Sequence, residues 1–169
     1  MKTGAIVLAL MAALVLQSTL GRFVSRAAGA VDLVLVVVVY VSLLYGPVTG
    51  LLAGTVGGLA QDALSSGVVG IGGLAKTVVG FLTGLGGTQF IVAQPIPRFV
   101  VFFAATIVHA LIFVGLYVLL DLRHFDTPMA TVAGQAVSNA LVGVVAFQVA
   151  TSLPGVVERR RAQKARIRR

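Results

Sequence analysis

Short polar or glycine–proline turns divide this chain into apolar runs, several of them close to the length a helix needs to cross a bilayer. A spanning helix takes about 20 apolar residues, in a range of about 17–25. Gly4–Leu20 and Val31–Tyr45 are the first two runs. Gly46-Pro47 turns the chain into Val48–Leu64, and Ser65–Gly70 turns it again into Ile71–Leu85. Gly86–Arg98, with Pro95 and Pro97, reads as an interfacial loop. Phe99–Leu120 is the longest clean run, Asp121–Pro128 is a polar turn, and Met129–Leu153 closes the series. Val34–Val41 is rich in β-branched residues and would suit a buried strand by propensity alone. In hydrocarbon an open strand leaves its backbone unpaired, so a helix is predicted there too.

The expected fold is therefore an all-α membrane protein: a bundle of six transmembrane helices in one domain over 1–157, followed by a basic tail over 158–169. Composition supports it. The chain is 58% hydrophobic and 11% charged, where soluble domains hold about 45–50% and about 25%. Such a chain lacks the polar surface to cover itself in water. It has no cysteine, which excludes disulfides, thiolate metal sites and cysteine nucleophiles.

Basic residues set the orientation. With six spans, Lys2, Arg98 and the seven basic residues of Glu158–Arg169 fall on one side, and Arg22, Arg26 and Arg123 on the other. The positive-inside rule then puts both termini in the cytoplasm, with the Arg22/Arg26 pair as the discordant feature. Arg159, Arg160, Arg161, Lys164, Arg166, Arg168 and Arg169 serve topology, anionic lipid, or both. Outside the tail there is no basic stripe, so nucleic acid is not an expected partner. Lys2, the first apolar run and Ala28-Gly29-Ala30 contain the ingredients of a cleavable signal. The stretch from the run to that site, with two arginines in it, is long for a cleavage region, and an uncleaved first span is expected.

Small residues recur every four positions. Gly50, Gly54 and Gly58 share a face of the third span, Gly80 and Gly84 a face of the fourth, and Ala5, Ala9 and Ala13 a weaker stripe on the first. Lipid supplies no hydrophobic drive between helices, so close backbone approach over such faces is a main source of association. Packing within the bundle is expected ahead of a subunit interface.

Embedded polar residues are few. Asp62 and Lys76 are equidistant from Val69 in the third turn, so a symmetric hairpin places them at one depth as an ion pair. An unpaired charge at mid-bilayer costs about 3 kcal/mol or more. The pair reads either as a clasp near the outer interface or as a polar site for a partner or ion. His109 lies within the fifth span; it is either bonded to a neighbouring helix or part of a relay or ligand site. Gln135 and Asn139, one turn apart on the sixth span with Ser138 beside them, either bond across helices or line a cavity. No catalytic constellation, metal-ligand cluster or phosphate loop is present in the sequence, since Gly67–Gly73 lacks the strand–loop–helix context. No enzyme activity and no cofactor are expected.

Three stretches resemble the MreD family of bacterial rod shape-determining membrane proteins: Leu16–Leu20; Val31–Leu43 continued by Tyr45–Gly50; and, most specifically, Gly58-Leu-Ala-Gln-Asp-Ala-Leu-Ser-Ser-Gly67 with Gly70, Leu74, Lys76–Gly80 and Gly84. Val31-Asp32 departs from the Pro-Asp common in that family. Residues 86–169 match in hydropathy alone. The resemblance implies a non-enzymatic scaffold of the cell-wall elongation complex in the bacterial inner membrane. Such a scaffold would bind MreC and work beside MreB, RodA and a class B penicillin-binding protein. It also implies a fold similar to the substrate-binding S-components of energy-coupling-factor transporters, and hence an alternative, a vitamin-type transporter subunit. The Ala5/Ala9/Ala13 stripe resembles the face those subunits dock with.

Overall fold

The computed structural model describes residues 2–23, 31–65, 68–89, 94–122 and 129–167, with the side chains of 2, 20–23, 88–89, 129 and 151–167 excepted. Within these residues the chain is all-helical: α1 (Lys2–Phe23), α2 (Leu33–Tyr45), α3 (Pro47–Leu64), α4 (Ile71–Gln89), α5 (Pro95–Leu119) and α6 (Met129–Ile167). The valine-rich run over 34–41 is helix, inside α2. Two helical segments, Pro95–Leu119 and Ala130–Ala150, are each long and apolar enough to cross a membrane.

The helices overrun several expected bounds. α4 continues to Gln89 and α5 begins at Pro95, so the predicted loop over 86–98 is mostly helix. Proline fits the first turn, where its missing N–H leaves no bond unmade and its fixed φ suits the helix. α6 runs on through Pro154 into the basic tail as one 39-residue helix. The tail side chains themselves, Arg159 to Arg169, lie outside the described residues.

α2 is the hub: among the described residues it packs against each of the other five helices. Val34, Leu35, Val36, Val38, Val39, Val41 and Ser42 are all buried, so α2 is covered nearly all round. Its two sides organise two clusters. One is formed with Leu10, Ala13 and Leu14 of α1 and Ala53 of α3. The other is formed with Val79 of α4, Phe102 and Ala105 of α5 and Ala140 of α6. Outward faces are apolar as well: Leu8, Val48, Ile96, Leu111 and Leu119 are all well exposed. Large exposed aliphatics on every helix suit hydrocarbon as the surrounding solvent.

At Gly46, φ is +87°. That left-handed backbone ends α2, and Pro47 starts α3 at the next residue, as glycine and proline are suited to do. The hairpin α3–α4 is the most extensively packed pair, and glycine is the reason. A Cβ added at Gly50 would strike the carbonyl oxygen of Gly80, one at Gly54 the carbonyl oxygen of Lys76, and one at Gly84 the Cα of Pro47. At Gly58 it would come within 2.5 Å of the Gly73 Cα. The two backbones therefore touch along their whole length, and these contacts set the register.

Candidate functional site

That register decides the fate of the charges. Lys76 lies opposite Gly54, well below Asp62, and its ammonium does not pair with Asp62. It lies 2.8 Å from Asp32 Oδ2, with both side chains buried. The expected Asp62–Lys76 pair is thus corrected. Counting outward from the middle of the turn assumed a symmetric hairpin, whereas glycine packing slides α4 along α3.

Asp32 is where it is because α2 is short. Its 13 residues span about 20 Å at 1.5 Å per residue, and its N-terminus starts inside the bundle, where first-turn N–H groups cannot reach water. Side chains supply the acceptors. Leu35 N–H donates to Asp32 Oδ1 (2.9 Å), Val34 N–H to Gln17 Oε1 on α1 (3.3 Å), and Asp32 N–H to Asn139 Oδ1 on α6 (2.8 Å). The Asp32 carboxylate both caps α2 and holds the lysine.

The network continues from there. The Lys76 ammonium also donates to His109 Nε2 (3.2 Å), which places the imidazole proton on Nδ1. Asn139 Nδ2 donates to Thr106 Oγ1 (3.1 Å), and Thr106 Oγ1 to the Phe102 carbonyl (2.9 Å). Lys76 and Asn139 are 3% and 1% exposed. Buried polar groups are costly unless bonded, and here each of these side chains has a partner. The cluster ties α1, α2, α4, α5 and α6 together.

Asp62 has another task. Its Oδ2 accepts from the backbone N–H of Gly70 and of Gly73, both at 2.9 Å. α4 opens Gly70-Ile71-Gly72-Gly73, with no side chain able to cap it, and Asp62 reaches across from α3 to do so. A carboxylate at a helix N-terminus also meets the positive end of the helix dipole. Gly70, at φ +108°, makes the preceding turn.

Beside these groups is a cavity of about 320 Å³. It lies at the end of the bundle where α1, α3 and α5 finish and α2, α4 and α6 begin. Gln17, Asp32, Gln61, Asp62, Lys76, His109 and Gln135 provide its polar lining, and Phe113, Val114, Tyr117 and Val132 part of its apolar wall. His109 and Gln135 therefore both face the cavity, while Asn139, one turn along from Gln135, is spent inside the network. Among the described residues no group of His, Asp and Glu is arranged to hold a metal ion.

The remaining expected residues are placed as follows. Gly50, Gly54, Gly58, Gly80 and Gly84 lie in the α3–α4 contact. Ala5 is exposed, Ala9 half-buried, and Ala13 buried against α2 and α3. Arg98, counted in the sequence only as a topology charge, is buried with its guanidinium carbon 3.9 Å from the centroid of the Phe147 ring. The residues missed were Asp32, Gln17, Gln61 and Thr106. An aspartate immediately before an apolar run is a helix N-cap signal, and it was there to be read.

A family model, that of the rod shape-determining protein MreD, matches residues 2–150. The chain belongs to the MreD family. It is a membrane protein of the rod-shape machinery, from a family of shape-determining proteins. No curated protein and no solved structure matches the chain. The match begins in α1 and takes in the whole polar cluster and the cavity, so both belong to the part of the chain that the family defines.

Proposed function

We propose that this chain is a non-catalytic scaffold of the bacterial cell-wall elongation complex, spanning the inner membrane six times with both termini in the cytoplasm and binding MreC. The observation that carries the reading is the family match over residues 2–150. The physical form agrees with it. Apolar residues face outward on each helix, and inside the bundle Lys76 and Asp32 are paired with each other while Asp62 accepts from backbone N–H groups. A protein built in this way works through surface complementarity: MreC docks on a helix face, and MreB, RodA and a class B penicillin-binding protein join through the assembly.

Two experiments test it. MreC is expected to co-purify with the chain from membranes in mild detergent, and depletion of the chain is expected to round rod-shaped cells. Rods that persist after depletion, with no MreC recovered, would sink the proposal. The topology is open to direct test because the chain has no native cysteine. A single cysteine at Ser65 should label from the periplasm and one at Thr3 only after the cells are opened.

The cavity favours a second reading, a ligand-binding subunit of a small-molecule transporter. That reading requires an ATPase pair to co-purify in place of MreC.

A further inference from the structure

We infer that the cavity between α1, α3, α4 and α5 is a binding site for a small organic cation, a protonated amine carried on an apolar body. This inference stands apart from the scaffold reading and needs no partner protein.

Four observations point to it. First, the cavity is real space, about 320 Å³, at the small end of the range typical of ligand pockets and lined like them, mostly apolar with a few convergent polar groups. Second, Gln61 Oε1 is buried with no hydrogen-bond partner. A buried acceptor left empty is costly, and a ligand donor would satisfy it. Third, Asp62 spends Oδ2 on two backbone N–H groups and leaves Oδ1 with no donor among the described residues. Oδ1 has room because Gly72 lacks a side chain: a Cβ there would land on it. Fourth, the opposite wall is aromatic. Phe113 stacks on His109 at 5.9 Å and packs on Tyr117 at 4.9 Å between centroids.

Charge selects among ligands. Lys76 is committed to Asp32 and His109, so it cannot turn to an anion without breaking both bonds. With Lys76 and Asp32 bonded to each other, Asp62 is the remaining acidic side chain among the described lining residues. Acceptors on one wall and aromatic faces on the other suit an ammonium. Anions are repelled.

The test uses the full chain in detergent micelles and three probes that share a benzyl body: benzylamine, benzyl alcohol and phenylacetate. Binding is read by equilibrium dialysis of radiolabelled probe against protein-free micelles, and thermal stability by circular dichroism. Benzylamine should bind saturably at one site per chain, and the alcohol and the carboxylate at least tenfold more weakly. Asp62→Asn keeps an acceptor for the α4 cap but removes the charge. It should weaken benzylamine roughly tenfold or more, as loss of a hydrogen bond to a charged group does. Gln61→Leu removes a side-chain acceptor that bonds nothing in the protein, so it should lower affinity while leaving the melting temperature unchanged or higher. That combination separates a binding residue from a structural one. Absence of saturable benzylamine binding overturns the inference. So do equal binding of the alcohol or the carboxylate, and equal affinity in both variants and the unmodified chain.

Discussion

The Lys76 ammonium and the Asp32 carboxylate meet at 2.8 Å with both side chains buried, so each is the condition for the other's charge being tolerated. Removing one partner of a buried pair is expensive, about 3–5 kcal/mol, because it strands the other charge. Lys76→Met should therefore strongly reduce the folded fraction recovered from membranes. Asp32→Asn should do so as well, although the amide can still cap α2. Combining the two removes both charges and should recover more than half of the loss. A double-mutant cycle on unfolding in mixed micelles measures it, and additivity of the two losses would contradict the pairing.

Asp62 behaves differently in the same assay. Its carboxylate satisfies the N–H groups of Gly70 and Gly73, so Asp62→Ala loses a helix cap, about 0.5–2 kcal/mol. Lys76→Ala in addition should not rescue it. Amide hydrogen exchange gives the local signature: protection should fall at Gly70–Leu74, where α4 begins, and stay unchanged at the start of α2. A rescue by the lysine substitution would restore the hairpin clasp that this structure replaces.

How far the sequence carried can be judged from these residues. Helix positions were legible because each apolar run is long and the turns are marked: Gly46-Pro47 forces a stop and a start wherever the helices come to lie. The four-residue glycine spacing likewise exposed the close-packing faces of α3 and α4. What could not be read was the offset between those helices. A slide of one turn along a glycine face changes no local preference, yet it moves Lys76 away from Asp62 and up to Asp32. Asp32 belonged to a different run, and its pairing partner lies on a helix two elements later. Cavities share the difficulty. Gln61, Asp62 and Gln135 are ordinary polar residues until α3 and α6 place them around one space.

The α3–α4 contact yields a prediction with an internal control. A methyl group at Gly54 would collide with the Lys76 carbonyl oxygen, a backbone atom with nowhere to move. Gly54→Ala should push the helices apart and cost about 1–3 kcal/mol, the usual range for overpacking. Because Lys76 rides on the displaced segment, its distance to Asp32 should lengthen too. Gly115 sits in α5 with nothing within 4 Å of an added Cβ. Gly115→Ala should be neutral or stabilise by up to about 1 kcal/mol through helix propensity. Equal effects of the two substitutions on thermal unfolding would mean that α3 and α4 do not touch as described.

Asn139 offers the last test, since one amide there serves two elements. Its oxygen accepts from Asp32 N–H and its nitrogen donates to Thr106 Oγ1, at 1% exposure. Asn139→Leu fills similar volume but strands the Asp32 N–H, and an unsatisfied buried donor costs about 1–3 kcal/mol. Asn139→Asp keeps the acceptor, yet it sets a second carboxylate beside Asp32 with Lys76 as the near counter-charge, and like charges in a shared site disfavour ionisation. Aspartate should therefore be at least as damaging as leucine despite its closer shape. Thr106→Val leaves the acceptor side of the amide intact and should cost less than either. That ranking, read from the melting temperatures of the three variants, reports whether the cluster is held by the α2 N-terminus or by the α5–α6 contact. If Thr106→Val were the most harmful, the Asn139 bond to Asp32 would not be what anchors α2 in the bundle.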